Sequence, residues 1–197
     1  EIRALTANSF LQDAPILTTS VETGQGLDEL RSHLEAANVD TGADVSQPFR
    51  LAIDRAFTVS GVGVVVTGTI ASGSVSVDQA LNLFPENTEV RVRGLRAQDQ
   101  TVNMARLGDR CAINIAGIDL ESVRRGQWLT DAAHTGSREF TLELEVLSDF
   151  PRSVRHWLPV HIYHASSHAT GHVALLSERR IAPGERQTVE LITDTPL

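Results

Sequence analysis

All 17 Lys+Arg residues of this 197-residue chain are arginine, and no lysine occurs anywhere in it. A P-loop needs a lysine on its nucleotide's β/γ-phosphates, and Schiff-base or carbamate chemistry needs a lysine nucleophile, so neither can be carried by these residues. Arginine keeps its charge and offers a planar fork to carboxylate or phosphate, so positive charge here acts by clamping and not by proton transfer. The arrangement that stands out is Asp54-Arg55, with Arg110 following Gly108-Asp109. Neighbours on a regular strand point to opposite faces, so a pocket shared by Asp54 and Arg55 requires a bulge or bend. Spacing alone favours an ordinary ion pair between Asp54 and Arg55 or Arg110.

Five of the seven histidines fall at His156, His161, His164, His168 and His172. The spacing of His164, His168 and His172 would suit a metal on a helix, but residues 160–163 alternate and Thr170-Gly171 marks a turn, so the three do not share one face. With no cysteine pair nearby, no metal is expected. His161 and His164, three apart on an extended strand, face opposite ways. Cys111 reads as a small buried hydrophobe beside Arg110, and as the sole cysteine it forbids an internal disulfide and suits a reducing compartment. No nucleophile and base stand at a workable spacing, so no catalytic residue is assigned.

These residues have to be positioned by elements whose period changes along the chain. Residues 14–19 form a short apolar run rich in β-branched side chains, residues 20–26 a glycine-bearing loop, and Leu27, Leu30 and Leu34 a helical stripe with Asp28 and Glu29 in its first turn. A polar linker, Thr41-Gly42-Ala43-Asp44, precedes Pro48. From there the period is two: residues 49–57 alternate, and Ser60-Gly61-Val62-Gly63 turns into residues 64–70 as a hairpin. Further strands are expected at 80–84, 89–96, 110–115 and 127–130, then at 139–147, 158–164, 172–176 and 187–192. Short strands at regular spacing with glycine turns favour closed barrels. The fold expected is mainly β, two consecutive β-barrels preceded by a short α/β piece. Hydrophobic and charged contents of 41% and 21% are globular values. The formal charge of −8 excludes a general nucleic-acid coating role, though not a local arginine grip. No apolar run approaches the ~20 residues of a membrane span, and the first residues carry no signal-peptide pattern.

Several segments carry a resemblance. Residues 49–59 (Phe-Arg-Leu-Ala-Ile-Asp-Arg-Ala-Phe-Thr-Val), the hairpin Gly61-Val62-Gly63-Val64-Val65-Val66-Thr67-Gly68-Thr69, the runs Arg91-Val92-Arg93-Gly94-Leu95 and Asn114-Ile115-Ala116-Gly117, and residues 161–171 resemble the translational GTPases of the elongation-factor Tu superfamily. The Asp-Arg-Ala-Phe strand and the His-Ala-Ser-Ser-His stretch narrow the resemblance to the selenocysteine-specific elongation factors. It implies that residues 1–47 are the end of a GTPase domain with its linker, 48–135 a first barrel, and 136–197 an incomplete second barrel, all within an internal fragment. Ser20-Val21-Glu22 matches the last guanine-contacting loop, with Val21 in place of the usual alanine, so Ser20 and Val21 would lie beside the base of GTP. The phosphates and Mg would sit mostly outside this segment, which is not expected to hydrolyse GTP.

In that family the residues matching Asp54, Arg55 and Arg110 are implicated in the aminoacyl pocket that distinguishes selenocysteine. The resemblance also implies selenocysteinyl-tRNA and the ribosome as partners, an mRNA element bound through other regions, a monomer and a cytoplasmic setting. Arg91, Arg93, His161 and His164 are candidate tRNA contacts, with Arg96, Arg106, Arg124-Arg125 and Arg179-Arg180 as further basic positions; a solvated face is the plainer reading of each. The alternatives are a general or initiator tRNA-binding translation GTPase, and a barrel that docks proteins without an aminoacyl pocket.

Overall fold

A computed structural model of the chain describes residues 1–7, 9–37, 46–176 and 180–197. The expected linker at 41–44 and Arg179 lie outside the described residues. The chain divides into two units, Glu1–Gly42 and Ala43–Leu197. The first carries helices α1 (Ile2–Thr6) and α2 (Leu27–Ala36), neither with a buried residue. Asp28 and Glu29 occupy the first turn of α2, where carboxylates suit the helix dipole. Gly26 precedes that helix with φ +70, and a Cβ there would lie 2.2 Å from the Thr18 carbonyl oxygen, so the turn requires glycine. Residues 14–19, expected as a strand, are irregular. A strand exists only with a ladder partner, and the described residues of this unit contain no other strand.

The second unit contains β1 (Arg50–Ala52), β2 (Arg55–Val59), β3 (Gly63–Ser72), β4 (Ser74–Ser76), β5 (Ala80–Phe84), β6 (Thr88–Ala97), β7 (Gln100–Val102), β8 (Met104–Arg106), β9 (Arg110–Ala116), β10 (Trp128–Thr130), β11 (Glu139–Glu145), β12 (Val154–Arg155), β13 (Leu158–His164), β14 (Ser167–Leu175), β15 (Arg180–Ile181) and β16 (Arg186–Thr193). The molecule is mainly β: 47% of the described residues are in strands and 10% are helical, a 3-10 turn at Leu120–Ser122 included. Antiparallel pairing in the order β1-β10-β5-β6-β9-β3 returns through β3 to β1, closing a six-stranded barrel. Inward side chains at alternate positions fill it: Leu51, Ile53, Val66, Ile70, Leu81, Leu83, Leu95, Ile113, Ile115 and Leu129 are all but inaccessible. Each contributes about 1.5–3 kcal/mol by burial. Closure brings backbone close to backbone at Gly68, where a Cβ would meet the Ala52 carbonyl oxygen at 2.3 Å.

Two irregularities shape the outer wall of this barrel. The alternating segment 49–57 is not one strand: it pairs as β1 up to Ala52 and resumes as β2 at Arg55, leaving Ile53 and Asp54 between. In β6 a bulge between Val92 and Gly94 switches the inward set from Val90 and Val92 to Leu95 and Ala97, so Arg96 points outward on the same surface as the even positions of β9.

Beyond the barrel, strands β11 to β16 form a four-stranded antiparallel sheet, β11-β16-β14-β13, and a two-stranded ribbon, β12-β15. Sheet and ribbon share one core, built from Val146, Val154, Val173, Leu175, Ile181 and Val189.

Candidate functional site

The break between β1 and β2 leaves Asp54 outside both ladders, and its carboxylate turns to Thr67 and Arg110. Asp54 Oδ1 accepts a hydrogen bond from Thr67 Oγ1 at 2.6 Å, and Oδ2 accepts from Arg110 Nη1 at 2.5 Å. The hairpin register positions the partners: β2 pairs with β3 so that Arg55 opposes Thr67, and β3 pairs with β9 so that Thr69 opposes Arg110. The peptide before Asp54 is tied at both ends. The Ile53 carbonyl accepts from Gly126 N at 2.9 Å and Ser166 Oγ at 2.8 Å, while Asp54 N donates to the Thr67 carbonyl at 2.9 Å. The hydrogen bond from Arg110 holds the Asp54 carboxyl below its ordinary value of 3.8, against partial burial, with Thr67 and the charge of Arg55 acting in the same direction as Arg110. Reciprocally, Asp54 raises the Arg110 guanidinium above its ordinary value.

Beside this pair lies a recess of about 390 Å³ lined by Thr67, Arg96, Gln98, Asp99, Arg110, Cys111 and Ala112. Arg96 opposes Ala112 across β6 and β9, which makes it a diagonal neighbour of Arg110. A second, apolar recess of about 320 Å³, lined among others by Phe57, Val59, Val62 and Val65, adjoins it and shares Arg96 and Ala112. The outer barrel wall therefore offers cationic donors next to an apolar shelf. Arg110 keeps four of its five N–H donors after bonding Asp54. Such a wall can bind an anionic group joined to an apolar or aromatic body. The Cys111 thiol in its lining is buried and pushed up to about 12, burial being the main cause, so it is not poised to react as a thiolate.

The structure brings Asp54 and Arg110 together, with Arg55 exposed at the start of β2 and near enough for its charge to act on Asp54. Sequence reasoning misses Thr67 and Arg96 as pocket residues. The expected turn over residues 60–63 would set Gly68 opposite Arg55; the turn spans 60–62, with Val59 opposite Gly63, which sets Thr67 there instead, and nothing in the sequence marks the bulge that turns Arg96 outward. Arg91 and Arg93 share the outer face of β6, and Arg91 Nη1 donates to the Asp78 carbonyl at 3.0 Å. His161 and His164 do lie on different sides of β13: the His161 ring stacks on His168 with Nδ1 and Nε2 2.8 Å apart, and His164 meets the Trp128 ring at 5.5 Å. Arg125, by sequence a solvated or phosphate-facing position, donates through Nε to the Ser166 carbonyl at 3.2 Å. In the first unit Val21 is 90% exposed, and Ser20 Oγ accepts from Thr23 N at 3.3 Å. Among the described residues, no group of three or more His, Cys, Asp and Glu could hold a metal ion, and no helix is long and apolar enough to cross a membrane.

A closed six-stranded barrel with this outer wall, joined to a second β unit, defines a translation-factor module: residues 63–130 match the family model for elongation factor Tu domain 2. Residues 141–197 match the family model "Selenocysteine-specific elongation factor, beta-barrel domain". The selenocysteine-specific elongation factor of Escherichia coli (strain K12) is 43% identical over 188 residues, covering 94% of this chain and 28% of that protein. That of Haemophilus influenzae is 38% identical over 190 residues, covering 96% of this chain and 30% of its own length. The crystal structure of translation elongation factor SelB from Methanococcus maripaludis, apo form, shares the fold with a TM-score of 0.81 at 23% identity, over 97% of this chain and 45% of that one. The chain belongs to the selenocysteine-specific elongation factor family, and it spans less than a third of the length of these two bacterial relatives.

Proposed function

We propose that this chain is the part of a GTP-dependent selenocysteine-specific elongation factor that receives the aminoacylated end of selenocysteinyl-tRNA for delivery to the ribosome. The observation that carries the reading is the Asp54–Arg110 pair beside the Arg96-lined recess, in a chain whose relatives bear that name. A selenol is far more acidic than a serine hydroxyl and is largely an anion at neutral pH, so guanidinium donors favour the selenolate and gain little from a neutral seryl side chain. Asp54 offsets one of the charges of Arg55 and Arg110, which leaves the three groups with a net positive charge. Arg91, Arg93, His161 and His164 are assigned as secondary contacts to the tRNA.

The domain division at 1–47, 48–135 and 136–197 belongs to the same proposal, as do the monomeric state, the cytoplasmic setting and the mRNA element reached through other regions. For GTP, Ser20 and Val21 would border the base. With no lysine in the chain, the phosphates and Mg would be held by residues outside these 197.

Titrations of the full-length factor with selenocysteinyl-, seryl- and initiator-tRNA test the reading. Preference for selenocysteinyl-tRNA that falls on Arg110→Ala, with seryl-tRNA binding little changed, is the expected result; equal losses for both tRNAs would refute the charge filter. Preference for an ordinary or initiator tRNA would favour a general translation factor, and no tRNA binding a protein-docking barrel.

A further inference from the structure

The carbonyl of Ile53 and the amide of Asp54 belong to one planar peptide, so whatever holds either end fixes the direction in which Asp54 leaves the chain. Three groups hold it: Gly126 N and Ser166 Oγ on the oxygen, and the Thr67 carbonyl on the amide. Gly126 and Thr67 belong to the barrel. Ser166 does not: it sits at the tip of the β13–β14 hairpin, in the second sheet, after Ala165 with φ +51.

The tip is seated with specific chemistry. Arg125 Nε donates to the Ser166 carbonyl at 3.2 Å while the Ser166 hydroxyl donates to Ile53, so this residue is tied to the barrel through both its side chain and its backbone. Ser167 Oγ closes the hairpin on the His164 carbonyl at 2.7 Å. Gly126 makes room for the tip, since a Cβ at that position would lie 2.9 Å from both Cα and Cβ of Ser167. The His164 ring rests against Trp128, two residues beyond Gly126. The hairpin therefore reaches from a separate core to the one peptide unit on which the Asp54–Arg110 pair hangs.

We propose that Ser166 is a positioning residue for the Asp54–Arg110 site, so that the seating of the second sheet's hairpin on the barrel sets how sharply the site discriminates its anionic ligand. This rests on the reading of the pair as a selenolate filter. Loss of the hydroxyl leaves the Ile53 carbonyl with Gly126 N alone, widens the range over which the peptide can tilt between its two remaining hydrogen bonds, and loosens the aim of the carboxylate at Arg110. A residue that only stabilised the fold would weaken all tRNAs together; a positioning residue changes their ratio.

The test compares Ser166→Ala, Ser166→Thr and Arg110→Ala in the full-length factor by the ratio of selenocysteinyl- to seryl-tRNA affinity, and the 197-residue chain by NMR titration of the Asp54 carboxyl carbon. Ser166→Ala is expected to lower the ratio roughly two- to ten-fold, the range one net hydrogen bond supports, and to move the Asp54 titration upward toward its ordinary range. Ser166→Thr, which keeps the hydroxyl, is expected to restore both. If Arg110→Ala lowers the ratio and Ser166→Ala leaves the ratio and the titration unchanged, the proposal is overturned. If neither variant changes the ratio, the selenolate reading fails, and the Asp54 titration then decides the positioning role alone: an unmoved titration in Ser166→Ala overturns it as well.

Discussion

A double-mutant cycle on Asp54 and Arg110 measures whether the site is organised before any ligand arrives. Asp54→Asn suits the first arm, because the amide oxygen still accepts from Thr67 Oγ1 while the charge facing Arg110 is gone. Arg110→Ala is the second arm. The magnitude comes from exposure: the Arg110 side chain is 59% accessible and that of Asp54 27%, so the pair lies between a surface ion pair and a shielded one. Exposed pairs contribute about 0.2–1 kcal/mol and hydrogen bonds to charged groups about 1.5–3, which leads us to expect a coupling of about 1 kcal/mol. For a chain of this size that moves the barrel's melting temperature by about 2–4 °C.

The pH dependence has a definite sign. Because folding lowers the pKa of Asp54, its contribution is present in full above the unfolded carboxylate's 3.8 and is lost as pH falls through the lower folded value. Thermal melts of the four proteins between pH 7 and pH 2 should therefore show a constant coupling down to about pH 4, then a decline. A coupling of zero at pH 7, or one that grows on acidification, would refute the reasoning.

Three single contacts give further expected outcomes. Thr67→Val removes the hydroxyl that donates to Asp54 Oδ1; it should cost about 1–2 kcal/mol in thermal melts and move the Asp54 titration upward, with Thr67→Ser restoring both. Gly68→Ala sets a Cβ 2.3 Å from the Ala52 carbonyl oxygen where β3 crosses β1, and should destabilise the barrel by more than about 2 kcal/mol, read as a fall in its melting temperature. Cys111, buried with its thiol pushed up to about 12, should resist a thiol reagent at pH 8 in the native chain and react fully in denaturant; rapid native labelling would show the strand opening.

Much of the barrel is legible in the sequence because its signals are local. Alternation marks 80–84 in the barrel and 158–164 in the second sheet with the bounds the strands have, and Gly61 and Gly63 mark the hairpin turn, although a turn over 60–63 is one residue longer than the observed 60–62 and would set Gly68, not Thr67, against Arg55. What escapes depends on partners distant in the chain. Residues 14–19 have the composition of a strand but no ladder partner among the described residues of their unit. Residues 49–57 read as one alternating strand, yet the ladder breaks at Ile53 and Asp54: β1 pairs with β10 on one side and β3 on the other, whereas β2 keeps β3 alone. The bend at Asp54 falls where the β10 partner is lost, so the irregular feature of the site lies at the point of closure. Arg96 escapes for a related reason: one extra residue at the β6 bulge reverses the faces of everything after it.

The carboxylate has a chemical purpose on the proposed reading that the arginines alone would not serve. Bare guanidiniums on a half-exposed wall attract any anion, free phosphate and nucleic-acid backbone included, and that attraction falls off only over the ~10 Å of a Debye length at 0.1 M salt. Asp54 cancels one charge at contact distance, which weakens the long-range pull while leaving four N–H donors of Arg110 for a ligand that reaches them. Discrimination then depends on geometry at short range, and so on how firmly Asp54 holds the guanidinium. The three hydrogen bonds on the Ile53–Asp54 peptide supply that firmness. Replacing Asp54 by asparagine should on this argument strengthen binding of inorganic phosphate to the chain even as it weakens the choice between selenocysteinyl- and seryl-tRNA. A variant that lost both, or neither, would show that the carboxylate acts in some way other than restraining Arg110.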